Sequence, residues 1–121
     1  MIKVYVAGAY SDNNVLGVLR NIGRGEEIAS HLFQLGFAPF APWFDKEFVI
    51  RNWRYDFSVN SFYEYSIEWM KCADCVLVVP NTPGMIDWQE SKGTVKEIEV
   101  AKQSNIPVYY TILELCKSYG K

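Results

Sequence analysis

Short apolar runs alternate with amphipathic stretches along the chain. Four apolar runs bounded by turn residues predict buried strands at residues 2–8, 37–42, 74–80 and 106–110. Apolar positions at helical spacing predict helices over residues 15–35, 61–73, 111–119 and from 92 onward. Strands that alternate with helical crossovers predict a Rossmann-like three-layer α/β sandwich with a short parallel sheet. Residues 43–60 show no clear period, which predicts a loop or lid.

The composition is that of a single globular domain spanning residues 1–121. Half of the residues are hydrophobic and 21% are charged, as in ordinary globular proteins. The net charge is −2 and the basic residues are scattered, so we expect no nucleic-acid polymer as partner. The sequence shows neither an 18-residue apolar run nor a basic-then-apolar leader. We therefore expect a cytoplasmic protein with no membrane partner.

The residue patterns of several common enzyme classes are missing. Cys72 and Cys75 have metal-like spacing, but no second pair or partner histidine accompanies them, so we expect buried free thiols. His31 falls in the middle of the first predicted helix, away from any expected site. The chain has no Ser/His/Asp set, no Walker lysine motif and no GxGxxG. We expect neither a metal nor an organic cofactor.

Glu97 is a carboxylate on the apolar side of a predicted helix. If the helix begins near Lys92, successive residues advance by about 100°, and Glu97 falls between Val100 and Ala101. Glu99 falls on the opposite, polar side. A carboxylate that faces the core is costly unless it is hydrogen-bonded or used chemically. A satisfied structural carboxylate and a functional one are equally open on this geometry.

The carboxyl ends of parallel strands are where ligands bind in such sheets. Three segments should meet there, namely residues 8–11, 43–60 and 81–93. Ser91, Lys92 and Gly93 lie at the start of the Glu97 helix, where free N–H groups and the helix dipole favour an anion. An ordinary N-cap formed by Ser91 is the simpler interpretation of the same pattern.

Aromatic residues are concentrated in the middle of the chain. Residues 33–69 hold 13 of the 19 aromatic side chains. Those in the predicted loop exceed what loop packing needs, and they are Trp43, Phe44, Phe48, Trp53, Tyr55 and Phe57. They could wall a base-binding pocket by stacking or bury themselves in a subunit interface, and both interpretations stay open. Asp45 and Asp56 are candidate polar contacts of the same pocket.

Several short motifs along the chain resemble those of one protein family. They are KVYVAGAYS (3–11), GFAPFAP (36–42), CADCVLVVP (72–80), ESKG (90–93) with Glu97 and Ala101, and IPVY (106–109). Their order and spacing are similar to the nucleoside 2-deoxyribosyltransferase-like superfamily, especially its small bacterial and phage branch, which is related to nucleoside 5′-monophosphate N-glycosidases. Only residues 43–60 and the last ten residues are unmatched.

The resemblance implies a flavodoxin-like fold and cleavage of the N-glycosidic bond of a nucleoside or nucleoside 5′-monophosphate. Glu97 matches the nucleophile that forms a glycosyl-enzyme, which water or a second base then resolves by hydrolysis or transfer. Tyr10 matches a residue that positions this nucleophile and the sugar. Ser91 and Gly93 match the segment that holds the 5′-phosphate. The resemblance also implies a homodimer. Gly8 and Ser11 lie in the same turn as Tyr10 and are further candidate substrate contacts.

Position 66 departs from the family pattern. The family carries an aspartate three residues before the tryptophan that is Trp69 here, and that aspartate helps to protonate the leaving base. Ser66 stands in its place, and by helical count it faces inward. Losing such a proton donor slows a reaction by about 10²–10⁴-fold. In one interpretation another acid, such as Asp45 or Asp56, has taken over this role, and in a second the base leaves with less help.

A third interpretation of Ser66 is a pocket that binds a nucleotide without cleaving it. The sequence therefore supports two functions, a glycosidic-bond-cleaving enzyme and a catalytically weak or inactive nucleotide-binding module. An interaction protein with the aromatic segment as its interface is a further hypothesis. In that case we expect Trp53→Ala to change the oligomer size without changing ligand affinity.

Overall fold

A computed structural model describes residues 1–52 and 54–121 as a four-stranded parallel sheet flanked by helices. The strands are β1 (Lys3–Ala7), β2 (Ala38–Phe40), β3 (Cys75–Val78) and β4 (Val108–Tyr109). The helices are α1 (Val15–Gln34), α2 (Lys46–Ile50), α3 (Val59–Met70), α4 (Lys92–Gln103) and α5 (Ile112–Ser118). The strand order β2-β1-β3-β4 is that of a flavodoxin-like sheet. The predicted Rossmann-like α/β fold is confirmed; Trp53 lies outside the described residues.

The side chains of β1 alternate between two separate apolar layers. Val4 and Val6 pack with residues of α1 and α5 on one face of the sheet. Tyr5 and Ala7 pack with residues of α3 and α4 on the other face. β1 is central in the sheet, with Tyr5 opposite Phe40 of β2 and Val76 of β3. Both of its faces are buried because helices pack on each side of the sheet. The alternation directs Tyr5 toward the helix that carries Glu97.

The segment 43–60 is more ordered than its sequence indicates. Residues Pro42–Asp45 form a 3-10 turn, and α2 follows it directly. Helix α3 then starts at Val59, earlier than the predicted residue 61, because the Ser58 hydroxyl caps it by accepting the Ser61 N–H at 3.1 Å. The prediction of a loop throughout was wrong, since elements this short contain too few turns to show a hydrophobic period.

The three cysteines are free but not all buried. Cys75 is buried within β3, Cys116 is half-buried, and Cys72 is exposed after the end of α3. The prediction of a buried thiol was therefore wrong for Cys72, which lies beyond the last residue of the helix. None of the helices in the described ranges is long and apolar enough to cross a membrane.

Candidate active site

A cleft of about 730 Å³ opens where the carboxyl ends of the strands meet the starts of the helices. It is bounded by β1 and the turn after it, by the 42–45 turn with α2, and by α3 and α4. Nine of the candidate residues line it together: Gly8, Tyr10, Ser11, Trp43, Asp45, Ser66, Ser91, Gly93 and Glu97. Residues that are far apart in the sequence therefore share one cavity.

Glu97 of α4 reaches the floor of this cleft. It is half-buried whereas Glu99 is exposed, so the predicted inward orientation of Glu97 is confirmed. Its carboxylate accepts a hydrogen bond from the Tyr5 hydroxyl. Burial raises the pKa of Glu97 to about 8, against the lowering effect of the Tyr5 hydrogen bond, and the charge of Asp45 adds to the increase.

Tyr5 is the site residue that sequence reasoning missed. Its side chain is fully buried, and its hydroxyl interacts with both Glu97 and Ser66. Burial and then the charge of Glu97 raise the pKa of Tyr5, so its hydroxyl stays protonated and donates. The available signal was the alternation of β1, since Tyr5 points away from Val4 and Val6, and a buried tyrosine hydroxyl needs a partner.

The Tyr5 ring is held by two further aromatic rings. It stacks on Phe40 with the ring centres 5.8 Å apart, and Phe40 stacks on Trp69 at 5.6 Å. The stack crosses from β1 through β2 to α3, the helix that also carries Ser66. Because ring packing restricts the Tyr5 side chain, its hydroxyl is fixed toward the Glu97 carboxylate.

Asp45 is the second buried carboxyl group of the cleft. It ends the 42–45 turn with only 8% of its surface exposed. Burial raises its pKa to about 6, while the neighbouring Lys46 lowers it. The negative charge of Asp45 in turn raises the pKa values of Tyr5, Tyr10 and Glu97, so Asp45 lies within electrostatic reach of all three.

Tyr10 lines the cleft but occupies a different place from Tyr5. Its side chain is partly buried, and burial and then the charge of Asp45 raise the pKa of its hydroxyl. Among the described residues, the hydroxyl that bonds Glu97 is that of Tyr5. The expected contact between Tyr10 and the nucleophile is therefore taken by Tyr5, which lies on the strand itself rather than in the turn after it.

Trp43 is part of the packed floor of the cleft. It is only 1% exposed, and its indole N–H donates to the carbonyl oxygen of Ala9 at 3.1 Å. A side chain at Gly8 would lie 3.0 Å from the Trp43 ring and 2.8 Å from Val79, which explains the glycine there. Trp43 offers little free ring surface for stacking on a base.

The other described aromatic residues of the segment and Asp56 lie outside the cleft. Phe44, Phe48, Tyr55 and Phe57 are exposed, and none of them lines the cavity. Asp56 is also exposed, on the stretch that leads into α3, and does not line it either. The structure does not bring Asp56 to the cleft, because the lining residues of this segment come from the 42–50 turn and helix and from Val59 at the start of α3.

The start of α4 combines a helix cap with positive charge. The Ser91 hydroxyl oxygen accepts the Thr94 N–H at 3.3 Å and the Thr94 hydroxyl at 2.9 Å, so Ser91 is the N-cap. Its own hydroxyl hydrogen is not used in these two bonds. Lys92 and Lys96 line the cleft beside it, and Lys96 was not among the residues predicted for the anion site. Together they place donors and positive charge where an anion would lie.

The mouth of the cleft is apolar. Leu19 of α1, Val49 and Ile50 of α2, and Val59 of α3 line it, and each is more than half exposed. These side chains come from three different elements and form an exposed apolar part of the cleft lining. Apolar surface that is exposed together in this way is typical of a binding surface for a ligand or another protein.

Comparisons with protein families and with curated proteins identify no relative. No protein-family model matches the chain, and no curated protein matches it either. Within residues 1–52 and 54–121 no cluster of three or more histidine, cysteine or acidic side chains could hold a metal ion. The chemical groups available at the floor of the cleft are two carboxyl groups with raised pKa values and a tyrosine hydroxyl.

Proposed function

We propose that the chain is a member of the nucleoside 2-deoxyribosyltransferase-like superfamily and cleaves the N-glycosidic bond of a nucleoside or nucleoside 5′-monophosphate. The hydrogen bond from Tyr5 to the Glu97 carboxylate, inside a cleft of nucleotide size, supports this most directly. A carboxylate fixed and partly desolvated in this way is suited to attack a carbon atom.

Glu97 acts as the nucleophile in this proposal. One of its oxygens bonds to the anomeric carbon while the bond to the base breaks, which leaves a glycosyl-enzyme. Water then releases the sugar, or a second base accepts it. Tyr5 holds the attacking carboxylate in one orientation through its hydrogen bond, and Tyr10 faces the same space from the turn after β1.

The start of α4 receives the 5′-phosphate of the substrate. Ser91 and Glu97 are six residues apart on one helix, which corresponds to about 9 Å along its axis. Lys92 and Lys96 add positive charge to the same wall of the cleft. A phosphate near Ser91 would therefore leave the attached sugar close to the Glu97 carboxylate, and Gly8 and Ser11 would close the sugar site from the opposite side.

Release of free base is the measurement that tests this proposal. Purified protein is incubated with ribo- and deoxyribonucleosides and their 5′-monophosphates, and the products are separated by chromatography. We expect Glu97→Gln to lower the rate by at least about 10⁴-fold, as removal of a nucleophile does. Glu99→Gln is the matched control, because Glu99 is exposed on the same helix. Equal rates in the two variants would refute the role of Glu97.

A nucleotide-binding module without cleavage is the second candidate function. Ser66 favours it, because a serine hydroxyl is a poor proton donor for a leaving base. Such a module would release no base in any form, yet it would bind nucleotides in both the wild type and Glu97→Gln. Binding measured by calorimetry on the same substrates separates the two functions.

We also propose that the protein works as a homodimer. The apolar mouth formed by Leu19, Val49, Ile50 and Val59 supports this, since a second copy would cover it. The dimer would shield the floor of the cleft from bulk water, which strengthens its electrostatic interactions.

A further inference from the structure

The leaving base of a nucleoside departs more easily when an acid protonates it, and position 66 does not supply one. The Ser66 side chain is buried, and its hydroxyl is near enough to Tyr5 to lower the pKa of the Tyr5 hydroxyl. A serine hydroxyl is too weak an acid to serve as the proton donor. If the proposed reaction takes place, the proton comes from another group in the cleft.

The cleft offers few alternatives. Among the described residues that line it, carboxyl groups belong to Asp45, Glu90 and Glu97. Glu97 is assigned to the attack on the sugar, and Glu90 is exposed just before the start of α4. Asp45 is the remaining carboxyl group, and it is the one that is buried.

Asp45 is also placed where it can act together with Glu97. It follows β2 directly on the 42–45 turn, and the turn is anchored by the bond from Trp43 to Ala9 at 3.1 Å. Its charge acts on Tyr5 and Glu97, and it borders the cleft from the 42–45 turn whereas Glu97 borders it from α4. A substrate between the two carboxyl groups would have one on each side of its glycosidic bond.

We propose that Asp45 is the catalytic acid that protonates the departing base, in place of the carboxyl group that position 66 lacks. This inference rests on the proposed function. As the Glu97 oxygen bonds to the anomeric carbon, the electron pair of the carbon–nitrogen bond goes to the base, and the Asp45 proton goes to a ring nitrogen of that base. In hydrolysis, water then adds to the anomeric carbon, its proton returns to Asp45, and Glu97 leaves as a carboxylate.

The groups around Asp45 are consistent with a carboxyl that exchanges a proton near neutral pH. Tyr5, Tyr10 and Glu97 face it, and Lys46 is the adjacent cation. The Lys46 ammonium donates to Glu26 at 2.8 Å and to the Trp43 carbonyl oxygen at 3.4 Å, so Glu26 neutralises part of its charge. With pKa values of about 6 for Asp45 and about 8 for Glu97, the one proton of the pair lies on Glu97 between these pH values in the free protein, so the proposed reaction requires it to pass to Asp45 before Glu97 attacks.

A comparison of leaving groups tests the assignment. The rates of wild type, Asp45→Asn and Glu97→Gln are measured on unmodified nucleosides and 5′-monophosphates. The same variants are assayed with 7-methylguanosine, its 5′-monophosphate, and 4-nitrophenyl ribosides and deoxyribosides, whose leaving groups need no added proton. Asp56→Asn is included as the rival acid, and Asp45→Ser replaces Asp45→Asn if the asparagine variant does not fold.

We expect Asp45→Asn to slow release of unmodified bases by about 10²–10⁴-fold and to change the rates on the activated substrates by less than about tenfold. Glu97→Gln should abolish both. Equal loss on both substrate classes, or a loss in Asp56→Asn instead, would overturn the role of Asp45. If Glu97→Gln spares the activated substrates while Asp45→Asn does not, the two carboxyl groups have exchanged roles. Absence of release by the wild type from every substrate would refute the proposed function itself.

Discussion

The floor and the mouth of the cleft depart from ordinary protein construction in opposite directions. The floor buries the ionisable groups Tyr5 and Asp45 and half-buries Glu97, whereas the mouth exposes apolar side chains such as Ile50 and Val59. Folded proteins normally bury apolar groups and expose ionisable ones, so each region costs stability in the isolated chain. In the proposals above, catalysis accounts for the floor, and a second copy that covers it accounts for the mouth. Four predictions test this contrast.

Removing the charge at the floor should stabilise the protein at high pH. The folded chain keeps the Glu97 proton up to a pKa of about 8, whereas an unfolded chain releases it near the ordinary 4.5. The unfolded state therefore binds fewer protons between these pH values, and stability is lost as the pH rises through them. We expect Glu97→Gln to unfold with a free energy higher than that of the wild type, by on the order of 4 kcal/mol near pH 9.

The difference should shrink toward zero near pH 4, where Glu97 is neutral in both states. Urea unfolding across this range measures it, and Glu99→Gln is the control in which stability should hardly change because Glu99 is exposed. A pH-independent difference between Glu97→Gln and the wild type would show that the carboxyl group is not desolvated in the folded protein.

Tyr5→Phe tests whether Glu97 has to be held in one orientation, because the variant keeps Glu97 and removes its hydrogen-bond donor. The ring and its stacking on Phe40 are kept, and only the hydrogen-bond donor is lost. We expect kcat to fall by about 10²–10³-fold, as when one preorganised donor is removed. Because the Tyr5 bond lowers the pKa of Glu97, the ionisation of Glu97 in the pH profile of kcat/KM should also move to higher pH. A lower rate with an unchanged ionisation of Glu97 in the pH profile would indicate a role for Tyr5 other than contact with Glu97.

Ser91→Ala tests the anion-binding end of the floor. The change removes an N-cap, and so does Thr111→Ala at the start of α5, where the Thr111 hydroxyl accepts the Glu114 N–H at 3.1 Å. Both should destabilise the protein by about 1 kcal/mol. Only Ser91→Ala should raise KM for nucleoside 5′-monophosphates, by about tenfold or more, with little effect on free nucleosides. Equal weakening of both substrate classes would remove Ser91 from the phosphate site.

Ile50→Ser tests the mouth and should have the smallest effect on the single chain. Ile50 is 68% exposed, so we expect the free energy of unfolding of the protein to change by less than about 0.5 kcal/mol. If a second copy covers the mouth, self-association measured by light scattering should weaken by about tenfold. Leu113→Ser is the control, because Leu113 is 65% exposed on α5 and does not line the cleft. Equal weakening in both variants would locate the contact elsewhere.

The sequence predicted the sheet well because its strands are short, apolar and bounded by turn residues. Val76 and Leu77 lie in a run that no helix period explains, and β3 forms there. The inward face of α4 followed from the same reasoning, since Ala101 and Ile98 fix the buried side on which Glu97 partly lies. The local pattern of hydrophobic positions was therefore enough to predict both the strands and the inward face of α4.

The remaining parts of the site depend on contacts between distant segments. The hydrogen bond between Tyr5 and Glu97 joins residues 92 positions apart. The burial of Asp45 depends on a 3-10 turn that is too short to leave a periodic signal. Asp45 and Asp56 looked alike in the sequence, and only the path of the chain after β2 places one in the cleft and the other in solvent.

The size of the Trp43 ring limits which residue types fit at positions 8 and 25, although the three positions are far apart in the sequence. A side chain at Gly25 would lie 2.5 Å from this ring, and one at Gly8 would lie 3.0 Å from it. Relatives with a larger residue at either glycine position should therefore carry a smaller residue at position 43, so the three columns should covary. Sorting homologous sequences by this triplet would distinguish chains that keep the same cleft floor from those that have rebuilt it.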